Sequence, residues 1–251
     1  KKIEGHKYLI DGTSFNANSL ISNLLDADDK KENNLFENNI SMDLNFDEVY
    51  LDKIYFVKDL KGKINIINNK VEEADILAFY NNSQNIKFTI KTNNQGEKIT
   101  TLFSSKAKPL VDRYKFIEGF KDDREGYLDF YSLKKGGVST SKLVIDNFKV
   151  KEIPALAKLL ALASLQGIAD LLTGEGIRFT DFEMNFTNQD KLMKIQELYA
   201  IGPAISILLE GYIEEDKLIS LRGTLVPATT INRSIASIPL LGDLLIGKKV
   251  G

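Results

Sequence analysis

The sequence of 251 residues has no cysteine, no tryptophan, one histidine and only five prolines. The lack of cysteine excludes disulfide frameworks, thiolate zinc sites, iron–sulfur clusters and cysteine nucleophiles, and it leaves the redox compartment open. The single His6 cannot form a multi-histidine metal site, and its place in a polar opening argues against a histidine-based catalytic relay. A net charge of −2 gives no electrostatic signature of nucleic-acid binding.

Long hydrophobic runs are also scarce. The most apolar one, residues 154–172 (PALAKLLALASLQGIADLL), is close to the ~20 residues of a membrane span. It contains Lys158 and Asp170, and each charge near a bilayer centre costs about 2.5–3.5 kcal/mol on insertion scales. We interpret it as a helix that packs on protein or lies at an apolar surface. The chain begins Lys-Lys-Ile-Glu with no signal region, which indicates an excised piece or a processed form.

What the sequence does contain is ordinary globular chemistry, with 43% hydrophobic and 27% charged residues. Apolar and polar residues alternate in 40–47 (ISMDLNFD) and again in 85–91 (NIKFTIK), which is typical of strands with one buried face. Turn residues such as 93–96 (NNQG) recur at short intervals, and no βαβ rhythm appears. These patterns predict an antiparallel, mainly β protein. The candidate strands are 8–10, 40–47, 64–67, 71–79, 86–92, 99–103, 127–133, 142–150, 177–186, 192–201, 204–213 and 218–226.

Helices are predicted at few places. One covers residues 15–25 behind a Thr13-Ser14 cap, and a short one covers 109–116 with proline in its first turn. The long one begins at Pro154 and stops at Gly174, and its apolar residues cover more than one face. Such a helix could lie in a core or touch lipid.

No catalytic constellation stands out. Carboxylate pairs at 72–73, 122–123 and 214–215 lie in polar turns or at strand ends beside basic residues, which favours a solvated surface over a glycosidase site. The P-loop spacing, the G-x-G-x-x-G fingerprint and the G-x-S-x-G elbow are all missing from the sequence. We therefore expect a protein that is not an enzyme and needs no cofactor or metal.

Several phrases in the last 110 or so residues are more specific. In order, they are PALAKLLALASLQGI, LLTGEGIRF, GPAISILLEGYI, LRGTLVPA and IPLLGDLLIG. Together they resemble the C-terminal region of AsmA-like proteins, in particular the large YhdP-type members of Gram-negative bacteria. The upstream stretches YLIDGTSFNANSLISNLL and AKPLVDRYKFIEG resemble the family more loosely. The family usually adds strands after this region and an N-terminal inner-membrane helix, neither of which is present in these 251 residues.

The resemblance implies a mainly β fold with a few helices. A long curved antiparallel sheet would form an open apolar groove, with helices packed at its ends. Residues 1–124 would be a β-groove segment with short helices, and 125–251 the AsmA-like C-terminal segment, continuous as one elongated domain. Such proteins bridge the periplasm, anchored to the inner membrane through a part absent here, and carry phospholipids between the inner and outer membranes without a chemical reaction.

The same resemblance, combined with the strand pattern, assigns candidate sites. The groove walls that would hold phospholipid acyl chains are Ile86, Phe88, Ile90, Leu143, Ile145, Phe148, Ile177, Phe179, Phe182, Met184, Phe186, Ile205, Ile207 and Leu209. The helix that would cap the groove or contact membrane carries Leu159, Leu160, Leu162 and Leu165. Without the resemblance, the same residues would be interpreted as the core of a closed sandwich or barrel.

Two other functions stay open at this point. The chain could be a periplasmic scaffold for outer-membrane biogenesis, docking other envelope proteins by strand addition at its sheet edges. It could also be a hydrolase acting on lipid, although the sequence offers no nucleophile elbow for this. The expected partners are phospholipid acyl chains, with the membrane surface and other envelope proteins in addition, and no nucleic acid.

Overall fold

The structure is a computed structural model that describes residues 2–4, 6–18, 39–68, 70–114, 117–121, 126–162, 165–215 and 218–227. Strands dominate these residues. They are β1 (Lys2–Glu4), β2 (Lys7–Asn16), β3 (Ile40–Tyr50), β4 (Phe56–Ile67), β5 (Lys70–Asn81), β6 (Gln84–Thr92), β7 (Lys98–Ser104), β8 (Phe120–Lys121), β9 (Leu128–Lys135), β10 (Val138–Val150), β11 (Ile177–Gln189), β12 (Leu192–Ile201), β13 (Ile205–Glu214) and β14 (Leu218–Pro227). The helices are α1 (Lys108–Tyr114), α2 (Pro154–Leu162) and α3 (Gln166–Thr173).

All of these strands belong to one curved sheet that does not close on itself. Their spatial order follows the chain from β1 to β14, except that β8 pairs only with the end of β10, so that β7 pairs with β9. Neighbouring strands are antiparallel, apart from the parallel pair of β2 and β3. The predicted class, a mainly β protein with an open curved sheet, is confirmed. The predicted boundary at residue 124 falls between β8 and β9, and the sheet continues past it.

Short turns produce this meander, as the sequence indicates. In the turn after β6, the Oδ1 atom of Asn93 accepts hydrogen bonds from the backbone N–H groups of Gln95 and Glu97, at 2.9 and 3.0 Å. Gly96 adopts a φ of 74°, a left-handed conformation that glycine takes without steric cost. The polar, Gly-containing cluster 93–96 therefore reverses the chain locally, and it does so where the sequence predicts.

Left-handed residues break the strict alternation within two of the strands. Asp59 in β4 and Asn147 in β10 both adopt a φ of 50°, which aspartate and asparagine tolerate better than most residues. Each left-handed residue offsets the alternation by one, so that residues three apart share a face. Val57 and Leu60 accordingly contact the same cluster, and so do Ile145 and Phe148. This offset explains why the first half of β4 is missing from the predicted strands.

Two helix predictions need correction. The helix predicted from Phe15 is wrong at its start, because Phe15 lies in β2 opposite Val49 of β3; residues 19–38, which include the rest of it, lie outside the described residues. The long helix is two helices, since Leu165 interrupts it with a φ of −102° and a ψ of 44°. The short helix at 109–116 is confirmed as α1. The helices α2 and α3 lie against one face of the sheet rather than beyond its first or last strand.

Candidate binding site: an apolar trough

The two faces of the sheet differ in character across its whole width. Residues directly opposite each other in neighbouring strands share a face. One row of such partners, running from β2 to β14, is Ile10, Leu44, Gly62, Ile76, Phe88, Leu102, Phe130, Leu143, Met184, Leu198, Leu209 and Gly223. The row beside it on the other face is Asp43, Lys63, Asp75, Thr89, Thr101, Tyr131, Lys142, Asn185 and Glu197. We call these the apolar face and the outer face.

From β2 to β7 the apolar face is an open trough with a volume of about 410 Å³. Gly62 in the apolar row allows β4 to approach β5 closely, because a Cβ there would lie 2.9 Å from the carbonyl oxygen of Asp75. Among the described residues that line this trough, Arg113 alone carries a charge. The lining consists of Ile10, Phe15, Ala17, Met42, Leu44, Phe46, Val49, Leu51, Val57, Leu60, Ile64, Val71, Ala74, Ile76, Ala78, Ile86, Phe88, Ile90, Leu102, Pro109, Leu110, Arg113 and Tyr114.

Beyond β7, residues of helices α2 and α3 form one buried cluster with apolar-face residues of strands β8 to β13, and we call this part the filled half. Leu160 of α2 and Leu172 of α3 are both 0% exposed. Phe148 lies among three other rings, with centroids 5.1, 5.6 and 6.1 Å away. The buried residues of the filled half are Ala107, Leu110, Val111, Phe120, Leu128, Leu143, Ile145, Phe148, Val150, Leu160, Ala169, Leu172, Ile177, Phe179, Phe182, Phe186, Ile195, Ala200 and Ile205.

The predicted wall residues divide between these two regions. Those that line the trough are Ile86, Phe88 and Ile90. Those buried in the filled half are Leu143, Ile145, Phe148, Ile177, Phe179, Phe182, Phe186 and Ile205. The half-buried ones are Met184 and Ile207, which pack against that cluster, and Leu209, which lies opposite Leu198. The acyl-chain contacts of all these residues stay a prediction.

The four leucines of the predicted capping helix also divide. Leu160 is fully buried in the filled half, and Leu165 is half-buried against the same cluster. The side chains of Leu159 and Leu162 lie outside the described residues. Packing of Leu160 against the sheet agrees with a helix that covers the groove. Contact of this helix with membrane stays a prediction.

Much of the trough lining was not predicted from the sequence. The floor near α1 comes from Val49, Val57, Leu60 and Ala78, which lie on strands β3, β4 and β5. Spacing by three at 46–49 and 57–60 fits neither a regular strand nor a helix of that length. An aspartate between two apolar residues that are three apart, as at Asp59, is the signal that could have indicated a strand whose alternation shifts by one residue.

The rim of the trough at α1 is its polar boundary. Arg113 donates from Nη1 to Oδ1 of Asn18 at 2.7 Å and to the carbonyl oxygen of Leu51 at 3.1 Å. One residue earlier, the carboxylate of Asp112 accepts hydrogen bonds from Nζ of Lys108, at 2.8 Å, and from Oη of Tyr55, at 2.7 Å. These bonds tie α1 to the ends of β2 and β3 and to the residue before β4, so α1 lies along one side of the trough.

Titratable groups with shifted pKa values have structural explanations. Burial raises the pKa of Tyr80 to about 12, although its hydrogen bond with Ser104, at 3.0 Å, lowers it in part. Burial also raises the pKa of Tyr199, and its bond to Glu183 adds to this. Burial of Glu183 itself is outweighed by bonds from Lys142 and Tyr199, so its pKa is lowered. Among the described residues, no three His, Cys, Asp or Glu side chains are grouped so that they could hold a metal ion.

Two further findings bear on function. Within the described residues, no helix has both the length and the apolar character needed to cross a membrane. Family models, curated proteins and solved structures were all compared with this chain, and none of them matches it. The resemblance of the last 110 or so residues to AsmA-like proteins therefore stays a prediction. The functional argument depends on the open trough and on its contrast with the filled half.

Proposed function

We propose that the trough binds the acyl chains of phospholipids, and that this chain is a groove segment of a protein that carries phospholipids between the inner and outer membranes without a chemical reaction. One observation carries the proposal: an open volume of about 410 Å³ is lined almost entirely by apolar side chains. A soluble protein rarely leaves a contiguous apolar surface uncovered unless something binds there.

The filled half indicates what kind of group fits this face. There, the aliphatic side chains of Leu160 and Leu172 are buried against the same continuous sheet. An acyl chain presents a similar methylene surface. Its burial contributes about 0.8 kcal/mol per CH₂ without any directional bond, so the strands need supply only shape and apolarity. This agrees with a lining in which polar groups are confined to α1.

The length of the trough is also suitable. From β2 to β7 there are five interstrand spacings of about 4.8 Å, which gives about 24 Å across the strands. One leaflet of a bilayer contributes about half of a hydrocarbon core of about 30 Å, so an acyl chain needs about 15 Å. The trough is therefore long enough to hold such a chain along its apolar rows.

The outer face fits a protein surrounded by water. It carries ion pairs such as Lys7–Asp43, at 3.0 Å, and Lys142–Glu183, at 2.7 Å. We place the protein in the periplasm, attached to the inner membrane through a part that lies outside this chain. Membrane surfaces would supply and receive the lipid, and other envelope proteins would contact the two ends of the sheet.

A pair of neighbouring substitutions tests this proposal. Because the chain has no tryptophan, Phe88→Trp introduces a single fluorophore into the trough, and Thr89→Trp introduces one on the outer face of the same strand. Phospholipids brominated on their acyl chains should quench the fluorescence of Phe88→Trp strongly and leave that of Thr89→Trp nearly unchanged. Native mass spectrometry of the unsubstituted chain should show bound phospholipid.

Equal quenching of both variants, or of neither, would overturn the proposal. If the protein carries no lipid, and the fluorescence of Phe88→Trp is blue-shifted but not quenched by brominated lipid, another segment of the chain occupies the trough. Circular dichroism of both variants checks that the sheet is retained, since Phe88→Trp exchanges one aromatic side chain for another and Thr89 lies on the other face.

A second candidate function is supported by the last strand. In β14, Leu218, Ile219 and Leu221 are 50%, 68% and 42% exposed. Among the described residues, β14 pairs only with β13. Such an edge can accept a strand from another envelope protein, which would make the chain a scaffold. Hydrogen exchange of the β14 amides should then slow when the partner is added, and a variant with a filled trough, Leu44→Trp, should keep the interaction.

A further inference from the structure

We infer that Arg113 binds the phosphate of the lipid whose chains lie in the trough, so that the headgroup lies at the α1 rim. The inference rests on the proposed function and adds an orientation to it. Arg113 carries the charge in an otherwise uncharged described lining, and it lies at one side of the trough. Toward the opposite side, the lining residues are Met42, Ile64, Val71 and Ile90. A polar headgroup therefore has a favourable position at the α1 side.

The guanidinium is held in place by several contacts. Nη1 donates to Asn18 and to the carbonyl oxygen of Leu51, and Nη2 lies 3.4 Å from the carbonyl oxygen of Asn18. Its Cζ atom lies 5.8 Å from the centroid of the Tyr114 ring, which also lines the trough. Arginine has five N–H donors in a planar fork, a geometry that matches phosphate oxygens. A group held at the rim in this way is suited to recognising a phosphodiester without rearrangement.

A neighbouring cation provides a control. Lys108 lies on the same helix and forms an ion pair with Asp112 at 2.8 Å, and it does not line the trough. Removing its charge changes the net charge of α1 by the same amount as removing that of Arg113. Any effect specific to Arg113 must therefore come from its position rather than from the overall charge of the helix.

The test compares dioleoyl phosphatidylglycerol with dioleoylglycerol, which have the same acyl chains and differ in the phosphate headgroup. Binding is measured by displacement of brominated lipid from the Phe88→Trp variant.

We expect the phospholipid to bind about tenfold more tightly than dioleoylglycerol, the effect of about one charge-assisted hydrogen bond. Arg113→Met should remove this preference, so that the phospholipid binds this variant no more tightly than dioleoylglycerol does. Arg113→Lys should keep part of it, and Lys108→Met should keep all of it. Inorganic phosphate, which has no acyl chains, should not displace the brominated lipid.

The outcomes separate this inference from the proposed function. If the chain binds neither lipid, both fail. If it binds both lipids equally, or if Arg113→Met keeps the preference, the trough stands and the role of Arg113 is wrong. Displacement by inorganic phosphate would show a free-anion site instead, and this too would overturn the inference.

A second measurement does not depend on the stability of the Arg113 variants. A phospholipid with a photoreactive group beside its phosphate is crosslinked to the unsubstituted chain, and the labelled peptides are mapped. Labelling of the peptide that contains α1 supports the inference. Labelling confined to the ends of β4 and β5 on the opposite side, near Ile64 and Val71, would overturn it.

Discussion

The trough and the filled half share one apolar face but bury it differently. Leu143 and Phe182 in the filled half are 6% and 8% exposed and belong to the same buried cluster as residues of helices α2 and α3. Leu44 and Phe88 in the trough belong to the same row as Leu143, yet they are only half-buried. Both regions also contain residues of the other kind, since Val57 and Ala78 of the trough lining are 0% exposed and Met184 beside the filled half is half-buried. Among the described residues, the two regions therefore differ in the helices that pack against the filled half and in the open volume over the trough, and not in the burial of every lining residue.

The largest effect that sharpens this comparison comes from truncating one leucine in each region. Leu160→Ala should lower the free energy of unfolding by about 2–5 kcal/mol, because it leaves a cavity in place of a fully buried side chain. Leu44→Ala should cost about 1 kcal/mol, since its side chain is already half-exposed in the trough. Urea unfolding measures both changes. Equal costs would mean that the trough is packed as tightly as the filled half.

A smaller effect should come from adding lipid. At a phospholipid concentration of 100 times the Kd, the free energy of unfolding should rise by about 2.7 kcal/mol, because only the folded state binds. Ile76→Trp, which fills the trough, should remove this stabilisation, whereas Asp75→Trp, its neighbour on the outer face, should keep it. Thermal unfolding with and without phospholipid measures the difference. Stabilisation that survives Ile76→Trp would place the lipid elsewhere on the chain.

The last effect concerns pH and the phenol of Tyr80, which packs against the buried cluster that contains Val57 and Ala78. The pKa of Tyr80 is about 12 in the folded state and about 10 when unfolded, so burial favours its neutral form. The stabilisation of the fold by the neutral phenol of Tyr80 is complete below about pH 10. It is lost between about pH 10 and pH 12, by about 1.4 kcal/mol per pH unit. Tyr80→Phe should make the loss of stability in this range less steep. A slope for Tyr80→Phe identical to that of the unsubstituted protein would contradict burial of the phenol.

Several features could be predicted from the sequence because they depend on local patterns. The alternation in 40–47 predicts that Met42 and Phe46 share a buried face, and both are less than 10% exposed. Predicted strand 192–201 coincides with β12. The period of two determines which side of a strand is apolar, and Asn- and Gly-rich turns determine where it reverses, so neither needs information from distant residues.

Other features could not be predicted because distant contacts decide them. The parallel pairing of β2 with β3 draws Phe15 into a strand opposite Val49, although the nearby Ser-Phe-Asn sequence is compatible with a helix start. The offsets at Asp59 and Asn147 depend on the neighbouring strands: β3 and β11 keep their register across them, whereas the pairing of β4 with β5 shifts by one residue at Asp59. The role of Arg113 at the rim depends on α1 reaching Asn18 and Leu51, 95 and 62 residues away in the chain.

By itself, the sequence determined that this protein forms a sheet with one apolar and one polar face, because the backbone period of two places alternate residues on opposite faces. The sequence contains no cysteine, metal-binding motif or nucleophile motif that would indicate another kind of site. Only the tertiary structure decided which part of the apolar face is covered. Helices α2 and α3 pack against residues of β10 and β11, while the described residues of β2 to β7 line an open trough bounded by α1. The physical reason is that the period of two determines only the direction of each side chain along a strand. Burial of that side chain requires another part of the protein to pack over it, and the position of that part is set by the folded chain.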